Sequence, residues 1–213
     1  MKLFKSLISL CTIIGLLVIL TGCPTVANRE ESKKPQGMVN FTFFDTVSYV
    51  YSYAGDEQEV FEANSNGVFE MLGEYHKLFD IYYEYSGITN IKTLNLNAGG
   101  DAMVVDEKLI DFLLYAKELY ELTNGEMNIM MGSVLRLWHD CREQASSDPA
   151  HARIPTGEEL AEAALHTDIS CLEIDEVNGT VRISDPDAAI DVGALGKGYA
   201  TEKGGGVSCI CRR

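Results

Sequence analysis

Positive charge is scarce in this sequence: 17 Lys and Arg stand against 32 Asp and Glu, a formal net charge of −15. Nucleic acid is held through a basic footprint, and none exists here outside the extreme N-terminus, so no nucleic-acid partner is expected. Proline is rare as well, with 5 in 213 residues, while 46% of residues are hydrophobic. A disordered tail of similar charge carries far fewer Leu, Ile, Val and Phe, so a folded globular protein with a real core is expected. The six cysteines make no regular framework. Cys141 and Cys171 are isolated, and Cys209-x-Cys211 lacks a second ligand pair at zinc spacing. One disulfide remains open. His76, His139, His151 and His166 have no metal spacing and read as surface or packing residues.

The N-terminus is different in kind. Lys2 and Lys5 precede an apolar stretch from Leu7 to Leu20, which ends in Leu20-Thr21-Gly22-Cys23. Apolar length alone does not separate a signal segment from a membrane span. The small-small-Cys ending, followed by a polar run over 28–34, reads as a bacterial lipobox. Residues 1–22 are then a signal peptide, Cys23 takes the lipid, and 23–38 form a tether. This places the domain at the cell membrane, lipid-anchored on the extracytoplasmic face. An uncleaved membrane anchor is the alternative, and it leaves the domain on the same face.

Beyond the tether, periodicity predicts mixed elements. Val39 to Tyr53 alternates as one long strand or two short ones. Asp56 to about Tyr82 has helical spacing, and 86–100 reads as a loop rich in Asn and Gly. Asp106 caps a helix over Glu107–Leu122 that Asn124-Gly125 stops, and a third helix is expected over Ile129–Glu143. A polar loop over 140–154 leads to the capping box Thr156-Gly157-Glu158-Glu159. Ser170–Asp175 and Thr180–Ser184 flank Asn178-Gly179 as a hairpin, and Ala188–Val192 reads as a short strand. Without a steady βαβ alternation, the fold class is α+β.

The stretch from Asp191 to Tyr199 (Asp-Val-Gly-Ala-Leu-Gly-Lys-Gly-Tyr) carries the strongest chemical signal. Its glycines let backbone N–H groups approach an anion, a helix N-terminus adds positive dipole, and Lys197 adds a full charge. It is neither a Walker A loop nor GxGxxG. A plain Gly-rich turn with a solvated Lys remains the other reading of these residues. Asp191 favours the ligand reading, because a carboxylate beside an anion site needs a cation or a ligand donor to hold.

This stretch resembles the Asp-x-Gly-x-x-[Ala/Gly]-Lys-Gly-Tyr-Ala motif of the ApbE family, the FAD:protein FMN transferases, many of which are bacterial lipoproteins. Three further blocks agree in order: Phe44-Asp45-Thr46, the segment from Leu78 to Asn95, and Thr123-Asn124-Gly125-Glu126-Met127-Asn128 with Trp138 following. The resemblance covers about Asn40 to Lys203. It implies a T-fold-like mixed antiparallel sheet with packed helices over 39–203. It also implies an FAD site lined by Phe44, Tyr82 (or Tyr85), Glu126, Met127, Asn128, Asp191 and Lys197, with the carbonyl of Ala194 as one Mg²⁺ ligand. The implied reaction transfers FMN from FAD to a Thr or Ser hydroxyl and releases AMP. Its implied partners are exported flavin-acceptor subunits of membrane electron-transport complexes.

The sequence also departs from the family. The family's C-terminal part, with side-chain Mg²⁺ ligands and a His-x-x-Asp-Pro-x-Thr-Gly segment, has no counterpart here. Residues 204–213 read as a non-family tail, because Gly204-Gly205-Gly206 is a poor helix former. A frameshift after Lys203 and an inactive, poorly stable chain are the corresponding expectations. A non-catalytic flavin-binding lipoprotein and a purely structural surface lipoprotein remain alternatives.

Overall fold

Apolar residues at helical spacing build the first long element, α1 (Gln58–Phe79), which buries Phe61, Val68, Phe69, Leu72, Tyr75, Leu78 and Phe79. The computed structural model describes residues 35–52 and 55–210. Ahead of α1, β1 (Gln36–Asn40) and β2 (Ser48–Ser52) pair antiparallel, with Val39 opposite Tyr49 and Gly37 opposite Tyr51. The alternating segment is therefore two strands, and the first starts inside the stretch read as tether. Phe44 and Asp45, between them, both adopt positive φ (56° and 49°). That left-handed turn reverses the chain at the edge of the functional site.

A short helix, α2 (Ile91–Leu96), stands where a loop was expected. Asn90 caps it: its side chain accepts from the Thr93 N–H, and the Thr93 hydroxyl reaches back to the Asn90 N–H. The fully buried Asn90 also donates to the carbonyls of Lys77 and Tyr83, fastening the Tyr-rich segment to the end of α1.

The expected bounds of α3 (Glu107–Leu122) hold, with Asp106 accepting from the Lys108 N–H. It inserts Leu109, Phe112 and Leu113, all fully buried, against α1, and Phe79 and Phe112 lie 4.1 Å apart between ring centroids. The third predicted helix starts later and runs further, as α4 (Gly132–Ser147), so it takes in half of the predicted polar loop. Thr156 and Glu159 form the expected capping box of α5 (Gly157–Ala163).

A small antiparallel sheet has the order β3-β5-β4, from β3 (Met103–Val104), β4 (Leu172–Asp175) and β5 (Thr180–Ile183). Cys141 and Cys171 are free, so the open disulfide does not form between them. No described helix is long and apolar enough to cross a membrane.

Two expectations fail for a tertiary reason. Residues 188–192 are not a strand. Their backbone is instead held by single contacts: Gly132 N–H donates to the Ala189 carbonyl (3.0 Å) and Asp191 N–H to the Ile129 carbonyl (2.8 Å). The glycine triplet does not break the last helix, because α6 runs from Gly196 to Ile210. Tertiary packing overrides weak propensity here. Gly204 is buried against α1, where a Cβ would come within 3.0 Å of Met71 Cε. A side chain at that point would require Met71 and Val68 to give by a few tenths of an ångström, so the two helices approach closely there.

Gly132 is the tightest position among the described glycines. A Cβ there would lie 2.5 Å from the Ala189 carbonyl oxygen, which belongs to backbone. Gly132→Ala is expected to lower stability by about 1–3 kcal/mol, read as a drop in melting temperature of several degrees. An unchanged melting curve would mean that the 188–192 segment is not pinned to α4.

Candidate functional site

The end of α1, the loop after it, the left-handed turn at Phe44, the middle of α4 and the start of α6 enclose one cleft of about 780 Å³. Its walls are partly aromatic, with Phe44, Phe79, Tyr82, Tyr83 and Tyr85, and partly charged, with Asp191, Arg142 and Lys197.

Each wall is positioned by identifiable bonds. The Phe44 N–H donates to His76 Nδ1 (3.3 Å), and the two rings meet edge to face at 5.5 Å. Asp80 is buried and organises the tyrosine loop. Its carboxylate accepts from the backbone N–H of Tyr82 (2.7 Å) and Tyr83 (3.0 Å) and from the Tyr85 hydroxyl (2.7 Å). Burial and that hydrogen bond push the Tyr85 hydroxyl up to about 12, so it remains a proton donor at neutral pH. Tyr82 is also raised, first by burial and then by the Asp191 charge, while Arg142 beside its hydroxyl works against the rise.

The Gly-rich segment is anchored from α2. Asn95 makes two bonds to the backbone of Ile190: its Nδ2 donates to the carbonyl (2.9 Å) and its Oδ1 accepts from the N–H (2.8 Å). Asp191 follows directly. Its Oδ1 accepts from the Gly193 N–H (2.8 Å), and its Oδ2 faces His139 Nε2 at 3.4 Å. The chain then turns into α6, where Leu195 and Gly196 N–H both donate to the Val192 carbonyl. Among the described residues, the N–H groups of Lys197 and Gly198 have no hydrogen-bond acceptor and the Lys197 ammonium has no side-chain partner, so this helix start presents its charge to the cleft.

Of the residues expected at the site, Phe44, Tyr82, Asp191, Ala194 and Lys197 all line this cleft, and so does Tyr85. Glu126, Met127 and Asn128 do not. Asn128 uses its whole amide for structure, donating to the Thr167 carbonyl (2.8 Å) and accepting from the Met130 N–H (2.8 Å). The Met127 N–H is held by Thr123 Oγ1, and Glu126 is exposed. That turn supports the site from behind, since the next residue, Ile129, receives the Asp191 N–H.

Sequence reasoning missed His139 and Arg142, treating the first as a surface or packing histidine. With Leu135 they occupy positions i, i+4 and i+7 on α4, and all three line the cleft. That helical stripe was the available signal. His166 also has a partner: its Nδ1 lies 2.8 Å from Asp185 Oδ2, and Asp187 stands close by. That hydrogen bond raises His166 and lowers Asp185 from their ordinary values.

A model of the ApbE family matches residues 44–207, which extends past Lys203 into the stretch read as a tail. Among solved structures, the ApbE protein of Thermotoga maritima superimposes with a TM-score of 0.67 at 22% identity, covering 82% of this chain and 52% of that one. The flavin transferase ApbE of Vibrio cholerae gives 0.63 at 19% identity, with 81% and 52% covered. The flavinyl transferase ApbE of Pseudomonas stutzeri gives 0.63 at 18%, with 83% and 53% covered. The chain thus spans about half the length of these structures, and at such identities they show a shared α+β fold. No curated protein sequence matches it. With the family match extending over most of the sequence and its Asp-x-Gly…Lys-Gly-Tyr segment opening α6 at the cleft, this chain belongs to the ApbE family.

Proposed function

We propose that the chain carries the FAD-holding part of a flavin transferase, which moves FMN from FAD to a Thr or Ser hydroxyl of an exported redox protein. The observation that carries this reading is the convergence of Phe44, Tyr82, Asp191 and Lys197, from well-separated blocks, on one cleft. Its aromatic wall suits an isoalloxazine, and its cationic helix start suits a pyrophosphate. In the reaction, the acceptor oxygen attacks the flavin-side phosphorus. A new P–O bond joins FMN to the acceptor, the P–O–P bond breaks, the hydroxyl proton is released, and AMP leaves. Lys197 and the first-turn amides of α6 would hold the phosphate charge as it shifts toward the leaving group.

Magnesium belongs to the same proposal, with the Ala194 carbonyl as one ligand. The described residues do not complete such a site. Mg²⁺ takes oxygens in near-octahedral geometry, with a carboxylate or two among them. Asp191, the carboxylate nearest in sequence, is already engaged by Gly193 and His139. A second reading, a flavin-binding surface lipoprotein without catalysis, uses the same cleft-lining residues Phe44, Tyr82, Asp191 and Lys197.

The two readings separate experimentally. The full chain is incubated with FAD, Mg²⁺ and an exported acceptor domain, and the acceptor is examined for in-gel flavin fluorescence. Covalent flavin on the acceptor establishes the transferase. Flavin binding without labelling leaves the binding protein, and no binding removes both.

The proposal also has the protein lipid-anchored on the extracytoplasmic face of the cell membrane through Cys23, which lies outside the described residues. Cys23→Ser is expected to abolish lipid labelling and to move the chain from the membrane to the soluble fraction. Retention of the variant in the membrane would favour the uncleaved anchor.

A further inference from the structure

We infer that Arg142, steadied by His139, binds a phosphate oxygen of the dinucleotide and makes the cleft select FAD over riboflavin. This rests on the flavin reading of the cleft and names a residue that reading did not include.

The argument begins with a hydrogen-bond direction. Arginine only donates, so the 2.8 Å contact between Arg142 Nη2 and His139 Nδ1 makes Nδ1 the acceptor. The imidazole proton then sits on Nε2, the atom that faces Asp191 Oδ2. Donation therefore runs one way, from Arg142 to His139 to Asp191, and the other Asp191 oxygen takes the Gly193 N–H.

The charge balance follows from that order. Arg153 is paired with Glu159 (2.9 Å) and Arg182 with Glu173 (3.1 Å), each guanidinium directly against a carboxylate. Arg142 is held by a ring nitrogen instead, and no carboxylate among the described residues lies within ion-pair distance of it. Asp191, the nearest candidate in that network, is satisfied by other donors. The guanidinium is thus fixed in direction while its positive charge stays uncompensated, on the wall of a cleft in a chain of net charge −15. Of its five N–H groups one is used on His139 and another faces the Tyr82 hydroxyl, which leaves the rest for an anion. Lys197 is the other cation on that wall. A paired guanidinium and ammonium match a pyrophosphate, whereas riboflavin offers neither of them a charge.

His139 acts as a positioning residue. It orients Arg142 through Nδ1 and stands edge to face with Tyr82 at 6.1 Å, so it joins the cationic wall to the aromatic one.

The test is equilibrium titration of the full chain with FAD and, separately, with riboflavin, followed by flavin fluorescence. Arg142→Met is expected to weaken FAD about 10- to 100-fold while riboflavin stays unchanged, and Arg142→Lys to recover part of the loss. His139→Leu should weaken FAD less than Arg142→Met does but several-fold more than it weakens riboflavin, and His139→Gln should restore FAD through an accepting amide oxygen. Riboflavin affinity reports whether each variant is folded. Equal losses for both ligands, or no loss for FAD, would overturn the inference while the flavin reading stands. A wild-type chain that binds neither ligand would overturn both.

Discussion

Lys197→Met lowers the affinity of the chain for FAD by about 10- to 100-fold and leaves its thermal stability unchanged. Both halves of this expectation come from where the lysine stands. It is the second residue of α6, exposed, with no side-chain partner among the described residues, so removing it breaks no structural contact. A cation at the N-terminal end of a helix also opposes the macrodipole, which by itself favours anions there. Such a placement is unfavourable in the free protein and favourable only when an anion is bound between lysine and helix. Removing the charge is therefore neutral or slightly stabilising without ligand and costly with it. Melting curves and FAD titrations of the same preparation check both parts. A large loss of stability with unchanged FAD affinity would make Lys197 structural.

Asn95→Leu should have the larger effect on the fold itself. Asn95 meets the Ile190 backbone as a strand partner would, with one donor and one acceptor, and Ile190 is almost fully buried. Leucine leaves a buried N–H and a buried carbonyl unpaired, at a cost of about 1–3 kcal/mol each. For a chain of this length that corresponds to a fall in melting temperature of about 5–25 °C. Since Asp191 and Gly193 follow Ile190 directly, FAD affinity should fall as well. Asn95→Asp keeps the acceptor and loses the donor, so it is expected to fall between wild type and Leu. A Leu variant that melts with the wild type would show that the 188–192 segment is held from elsewhere.

What could be read from sequence divides along a physical line. Local signals were reliable: Asp106 capping α3, the Thr156 capping box, and the Asn178-Gly179 turn between β4 and β5 depend on a few adjacent residues. The Asn90–Thr93 box was equally local but lay in an Asn- and Gly-rich stretch, whose composition masked a helix of six residues. Long-range effects were not legible. The Ala188–Val192 run looks like a strand, yet its partners are the Asn95 side chain and two isolated backbone groups. Gly204 of α6 packs closely against Met71 and Val68 of α1, which only the packed structure reveals.

The site divides in the same way. Residues with a sequence motif, Asp191 and Lys197, line the cleft, and the aromatic Phe44 and Tyr82 join them. Glu126, Met127 and Asn128 also belong to a recognisable block, yet they stand behind the cleft wall, next to Ile129, which accepts the Asp191 N–H. Asp80 and Arg142 had no motif. Their roles come from what each side chain meets across the fold: three donors from the tyrosine loop for one, an imidazole from the preceding turn of α4 for the other.

The most direct test of the account is a structure of the full chain with FAD bound. The flavin ring should lie against Phe44 and Tyr82, with the pyrophosphate at Lys197 and the start of α6. FAD seated elsewhere, or a cleft that stays empty at saturating FAD, would contradict it.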